Sequence, residues 1–171
     1  MGGSSFIITG QIQAGKSTLC WQLLEYLNQT KVTTSGVITL QNDKKWFYLI
    51  REKVKIAFEA TNNVDFIQIG QFRIHTDNLN QTISSIRAGI NAGYLFIDEI
   101  GQLELQGGGY YPILNEVFSR RQGNILVVRE NLLDNFLSQF PQTKTYKIIQ
   151  VRNHETSIPL NTIKAYIEPQ F

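Results

Sequence analysis

The segment Gly10-Gln11-Ile12-Gln13-Ala14-Gly15-Lys16-Ser17 constrains this chain more than any other part of it. A loop this short, bounded by glycines where the backbone must turn, points successive N–H groups inward at an anion. The apolar run at residues 6–9 precedes it as a strand. After it, Leu19, Leu23 and Leu27 mark one face of a helix over residues 16–28. The positive N-terminal end of that helix adds to the pull on an anion. The segment fits G-x-x-x-x-G-K-[ST] at every fixed position, the phosphate-binding pattern of nucleotide-dependent proteins. Lys16 can reach the β- and γ-phosphates, and the Ser17 hydroxyl can ligate Mg²⁺. The residues of the loop from Gly10 to Ser17, together with Thr18, are the expected phosphate contacts. An accidental glycine loop is the alternative; the strand before it and the helix after it weigh against that.

A second signal stands far along the chain. Tyr94-Leu95-Phe96-Ile97 is a continuous apolar strand that runs into Asp98-Glu99. In a parallel sheet the C-terminal ends of all strands lie at one edge, so these carboxylates converge on the phosphate loop. Asp98 would hold Mg²⁺, directly or through water. Glu99 would orient and deprotonate an attacking water, or else pair with a neighbouring cation. A water-positioning carboxylate favours hydrolysis over transfer to another acceptor.

The remaining pattern places these motifs. Residues 33–40 and 45–51 are β-rich and flank the polar stretch Gln41-Asn42-Asp43-Lys44, which predicts a hairpin. A further strand pair is expected near residues 56–58 and 66–74. Leu79, Ile83, Ile86 and Ile90 fall at helical spacing, with Thr76 or Asp77 as cap and Gly93 as stop. Pro112 opens a helix closed by Gly123, and residues 125–128 form another buried strand. Leu132, Leu133, Phe136, Leu137 and Phe140 mark a helix that Pro141 ends; a strand near 146–151 and a helix from about Pro159 follow. The alternation predicts an α/β fold with a mainly parallel sheet, helices on both faces and an antiparallel hairpin addition. With no repeat or linker, one domain over residues 1–171 is expected.

Composition narrows the function classes. Sixteen Lys+Arg against fourteen Asp+Glu are too balanced for a polyanion-binding surface, so no nucleic-acid partner is expected. Cys20 is the only cysteine, which fits a reducing compartment. No stretch approaches the roughly 18 apolar residues of a membrane span, and no signal segment is evident. The expectation is a cytoplasmic protein.

The acidic strand continues as Asp98-Glu99-Ile100-Gly101-Gln102-Leu103-Glu104-Leu105. This resembles the Asp-Glu-Ile-Gly-Lys-Met-Glu-Leu signature of the nucleoside-triphosphatase family typified by a human cancer-related nucleoside-triphosphatase. Gly70-Gln71-Phe72 and Ser35-Gly36-Val37-Ile38-Thr39 resemble two further strands of that family, and the ordered resemblance covers roughly residues 6–151. It implies a RecA-like or AAA-like P-loop fold, with the strand at 125–128 between the first strand and the acidic one. It also implies Mg²⁺-dependent hydrolysis of NTPs with loose base preference. Gly10, Gly15, Lys16, Ser17, Asp98, Glu99, Gly101 and Glu104 match by position. The chain departs from the family in four places: Gln102 replaces a Lys, the Arg beyond the Gly36 strand is missing, Gly107-Gly108-Gly109 stands where a Ser is expected, and Glu155-Thr156 replaces an Asn-Arg pair.

Other residues carry weaker signals. Arg129 follows the strand at 125–128 and would emerge at the phosphate edge, where γ-phosphoryl charge rewards a cation; a solvated loop arginine is the alternative. Arg152 and Asn153 leave the last strand in the same way and could touch the base. Glu104 would complete a water or metal shell, or else cap backbone or form a salt bridge. The substrates expected are ATP, GTP or other nucleoside triphosphates, with a protein partner or self-association as the outside source of any missing cation. Two rival readings share the loop: a small-molecule or nucleotide kinase with an acceptor pocket built from residues 32–58, and a slow nucleotide-dependent switch or assembly factor.

Overall fold

The computed structural model describes residues 3–61 and 64–168. Its strands are β1 Phe6–Gly10, β2 Thr34–Gln41, β3 Lys45–Leu49, β4 Val54–Ala57, β5 Phe66–Ile69, β6 Phe72–His75, β7 Tyr94–Ile100, β8 Gly123–Arg129 and β9 Lys147–Gln150. Its helices are α1 Lys16–Gln29, α2 Thr76–Ala88, α3 Gln102–Leu105, α4 Tyr111–Ser119, α5 Leu133–Gln139 and α6 Ser157–Ile167. The main sheet has the order β4-β3-β2-β7-β8-β1-β9. Pairing is parallel from β2 through β7, β8 and β1 to β9, and β3 and β4 extend the β2 edge as an antiparallel meander. As expected, β8 lies between β1 and β7.

The central strands read as unbroken apolar runs because helices cover both sheet faces. Successive side chains alternate between those faces. Ile7, Val37, Leu95, Ile97, Leu126 and Val128 pack with Leu79 and Ile86 of α2, Leu114 of α4 and Phe136 of α5. Phe6, Ile8, Ile38, Phe96, Ile125 and Val127 pack on the other face with Leu19, Leu23 and Leu27 of α1 and Ile163 of α6. Leu23 is fully buried, so Leu23→Ala would cost about 2–5 kcal/mol. Parallel pairing puts the C-terminal ends of β1, β7 and β8 at one edge, and the phosphate loop leaves the sheet there. Among the described residues, no helix is long and apolar enough to cross a membrane.

Several local expectations are corrected. The strand near 56–58 reaches residues 66–74 through the Glu59–Ile74 bridge that continues it, but β4 has its ladder with β3 in the main sheet, and β5 and β6 pair with each other as a hairpin turning at Gly70-Gln71. An apolar run of that length reads as one strand only until its polar break is used as a turn. The cap of α2 is His75 rather than Thr76 or Asp77, its Nδ1 accepting from the Asn78 N–H at 3.5 Å. That helix ends at Gly89, whose N–H closes on the Ser85 and Ile86 carbonyls, before Gly93 is reached. Gly123 opens β8 instead of closing α4, because Arg120 turns away from the helix and donates to the Gly123 and Ala92 carbonyls. Residues 102–105, which follow the acidic strand, form the short helix α3.

Candidate active site

The phosphate loop bridges the end of β1 and the start of α1. Gly15 caps α1 at φ 102, a left-handed backbone that favours glycine. A Cβ at Gly10 would lie 2.3 Å from the Val151 carbonyl oxygen, so the loop's other hinge also needs glycine. The start of α1 has no side-chain cap and no acidic residue in its first turn, which leaves its positive end to the loop. From behind, the His154 N–H donates to the Ala14 carbonyl at 3.0 Å and ties the segment after β9 to the loop. Lys16 Nζ donates to the Gly10 carbonyl at 2.9 Å and to that of Gln11. Burial lowers the Lys16 pKa, and the nearby Arg129 guanidinium adds to that, against the raising pull of Asp98 and Glu99.

The loop and the acidic strand meet directly. The Ser17 hydroxyl donates to Asp98 Oδ2 at 2.7 Å, and the Thr39 N–H of β2 donates to the same oxygen at 3.0 Å. Asp98 is 1% exposed, and its Oδ1 is buried with no hydrogen-bond partner among the described residues. Burial pushes its pKa up to about 7, the adjacent Glu99 charge adds to the rise, and the Ser17 and Thr39 hydrogen bonds oppose it.

Consecutive side chains of a regular strand point to opposite faces. Here the β7–β8 register is interrupted between Ile97 and Ile100, and Glu99 adopts φ 64. The irregularity re-aims side chains at the strand end. A left-handed backbone at a non-glycine residue costs of order 1–3 kcal/mol and needs surrounding structure to hold it. Glu99 ion-pairs with Lys45 of β3, which is 4% exposed. Lys45 was not among the residues singled out from the sequence. The signal was present, however: Phe47 and Leu49 mark the inward face of β3, and alternation puts Lys45 on that same face.

The other candidates separate. Arg129 ends β8 beside Gly10 and lines a cleft with Lys45, Phe58, Phe72, Glu99 and Tyr110, ≈ 630 Å³ with its open mouth included. Thr18 is exposed in the first turn of α1, and Ile12 and Gln13 are exposed on the loop. Arg152 is exposed; its Nη2 donates to Gln150 at 3.1 Å, and it borders a different groove, with Ile148 and Ile158. Glu104 is a backbone staple: its oxygens accept from the Gly101 N–H at 2.8 Å and the Tyr110 N–H at 3.1 Å. Burial raises its pKa despite those bonds. Gln102 is exposed at the start of α3.

An anion loop joined by Ser17 to the buried carboxylate of a neighbouring parallel strand defines a P-loop nucleotide-binding protein. Comparison with known proteins narrows the class. The sequence model of a family described as NTPase matches residues 5–163, and the chain belongs to that family. It is 23% identical over 140 residues to the nucleoside-triphosphatase THEP1 of Thermococcus kodakarensis, spanning 75% of this chain and 78% of that protein. It is 23% identical over 139 residues to the THEP1 of Methanocaldococcus jannaschii, spanning 75% of this chain and 80% of that one. The crystal structure of THEP1 from Aquifex aeolicus superposes with a TM-score of 0.76 at 16% identity, over 96% of this chain and 99% of that one. The solution structure of a human cancer-related nucleoside triphosphatase gives a TM-score of 0.71 at 17% identity, over 99% and 100%.

Proposed function

We propose that this chain hydrolyses nucleoside triphosphates to NDP and phosphate in an Mg²⁺-dependent reaction with loose base preference. The observation that carries the reading is the Ser17–Asp98 hydrogen bond, with Glu99 beside it and Lys16 on the loop it anchors. Membership of the NTPase family supports the same chemistry.

The donor set fits Mg²⁺. Ser17 Oγ and Asp98 are hard oxygen donors, and the partnerless Asp98 Oδ1 is a buried oxygen that a cation would satisfy. When bound, the ion would neutralise charge on the β- and γ-phosphates. The loop N–H groups and Lys16 bind and orient the triphosphate. Glu99 positions a water: its oxygen bonds to the γ-phosphorus as the bond to the β,γ-bridging oxygen breaks, and its proton passes to the carboxylate. Arg129 would meet charge on the γ-phosphoryl oxygens from the end of β8.

The cleft beside Glu99 favours a second reading, phosphoryl transfer to a hydroxyl-bearing acceptor. Its Phe58 and Phe72 walls could seat an apolar molecule where a hydrolase needs only water. Phosphate release from the pure protein with Mg²⁺ and each common NTP, with no acceptor added, tests the proposal. Release matching NDP formation supports it. No release without an acceptor would favour transfer.

A further inference from the structure

The alternation of β3 carries Lys45 inward on the face of Phe47 and Leu49. An ammonium taken out of water is strongly unfavourable unless paired, and an apolar side chain would fill the same space without that penalty. The Lys45 Nζ lies 4.3 Å from the ring centroid of Phe58 and 4.8 Å from that of Phe72. These rings hold a normally roaming side chain in one place. Its partner is Glu99, whose side chain is 31% exposed and sits on the left-handed backbone at the end of β7. Among the described residues, the Glu99 carboxylate accepts a hydrogen bond from Lys45 alone.

We infer that Lys45, fixed between Phe58 and Phe72, is a positioning residue that aims the Glu99 carboxylate at the attacking water. The inference rests on the hydrolytic reading above. A carboxylate on three rotatable bonds samples many orientations, and misplacement by about 1 Å can cost a hundredfold in rate. The strained backbone of Glu99 sets where its side chain starts, and the caged ammonium sets where it ends. The chain thereby builds a fixed water-positioning group from two elements, the acidic strand and the hairpin beside it.

The test is a double-mutant cycle read at saturating Mg·ATP. Lys45→Met keeps the length and the apolar stem, and it should lower kcat by about tenfold to a hundredfold. KM and the Kd for ADP should stay within about twofold, because neither reports on the water. In a Glu99→Gln background, Lys45→Met should remove less than about twofold more, since coupled residues are not additive. Phe72→Leu loosens the cage without touching the ion pair. It should also lower kcat in the wild-type background only, and it carries the test if Lys45→Met fails to fold in thermal melts. Wild-type kcat in both single variants would overturn the inference, as would an undiminished loss in the Glu99→Gln background. The latter result would mean that Lys45 acts on the phosphate independently of Glu99. Absence of phosphate release from the wild-type protein is a separate outcome: it overturns the hydrolytic reading, and the positioning role with it.

Discussion

The Ser17 hydroxyl donates to Asp98 Oδ2 at 2.7 Å across 81 positions of sequence. This contact sets the first turn of α1 against the end of β7 and so fixes the phosphate loop relative to the acidic pair. The parallel order β7-β8-β1 makes it possible by bringing both strand ends to one edge. The loop and the acidic pair therefore share one edge of the sheet.

Lys16→Ala should weaken triphosphate binding and lower turnover by at least ~10²-fold, the scale for removing one preorganised charge-stabilising donor. The fold should persist, because among the described residues the Lys16 side chain donates only to the loop carbonyls of Gly10 and Gln11. Calorimetry with ATP checks the first effect and a thermal melt the second. Unchanged affinity would remove the loop from the site.

For Glu99→Gln, Mg·ATP binding should survive while hydrolysis slows by at least roughly a hundredfold, the loss expected for a general base. The geometry is kept, since Gln can still accept a hydrogen bond from Lys45. Near-full hydrolysis would make Glu99 a structural acid and strengthen the transfer reading.

Asp98 predicts the pH dependence of nucleotide-free stability. Its pKa is raised from the ordinary 3.8 to about 7, so between those values the folded state holds a proton that the unfolded state has released. Its contribution to stability therefore falls as pH rises from about 4 through 7. Asp98→Asn removes the buried charge, and at pH 8 it should stabilise the nucleotide-free protein by at least ~1 kcal/mol, about 2–4 °C in Tm. The same proton competes with a cation, so Mg²⁺ affinity should increase through pH 7 in the wild type. Thermal melts across pH, with and without Mg²⁺, read both effects. A variant less stable than wild type at pH 8 would contradict the account.

Arg129→Ala should lower the rate while leaving affinity for NDP, which has no γ-phosphate, almost unchanged. Steady-state kinetics and NDP titration separate the two. If the substitution has no effect, the cation comes from outside the chain. A rate per subunit that rises with protein concentration would then identify a second copy as its source.

The phosphate loop, the acidic pair and the alternation of strands and helices were legible in the sequence because each is local or periodic. Leu19, Leu23 and Leu27 announce the buried face of α1, and residues 94–97 announce a strand covered on both faces. The Lys45–Glu99 pair was not legible, because the partner is chosen across 54 positions by the register of the antiparallel meander. Nor was the division of residues 66–74 into two strands, where Gly70-Gln71 makes the turn between them. For Glu104, sequence position suggested either a shell ligand or a cap, and the Gly101 and Tyr110 N–H groups decide for the cap. Arg152 leaves its strand near the loop as expected, but its guanidinium lies along Gln150, an orientation that spacing does not encode.

In the proposed reaction this site directs water onto the γ-phosphorus. This is tested most directly by turning over ATP with Mg²⁺ in oxygen-18 water and weighing the products by mass spectrometry. Hydrolysis at this site puts a solvent oxygen in every phosphate released and none in the ADP, with the rate of label uptake falling together with kcat in Glu99→Gln. Label appearing in the ADP, or no labelled phosphate together with an unlabelled phosphate ester once an alcohol is added, would contradict it.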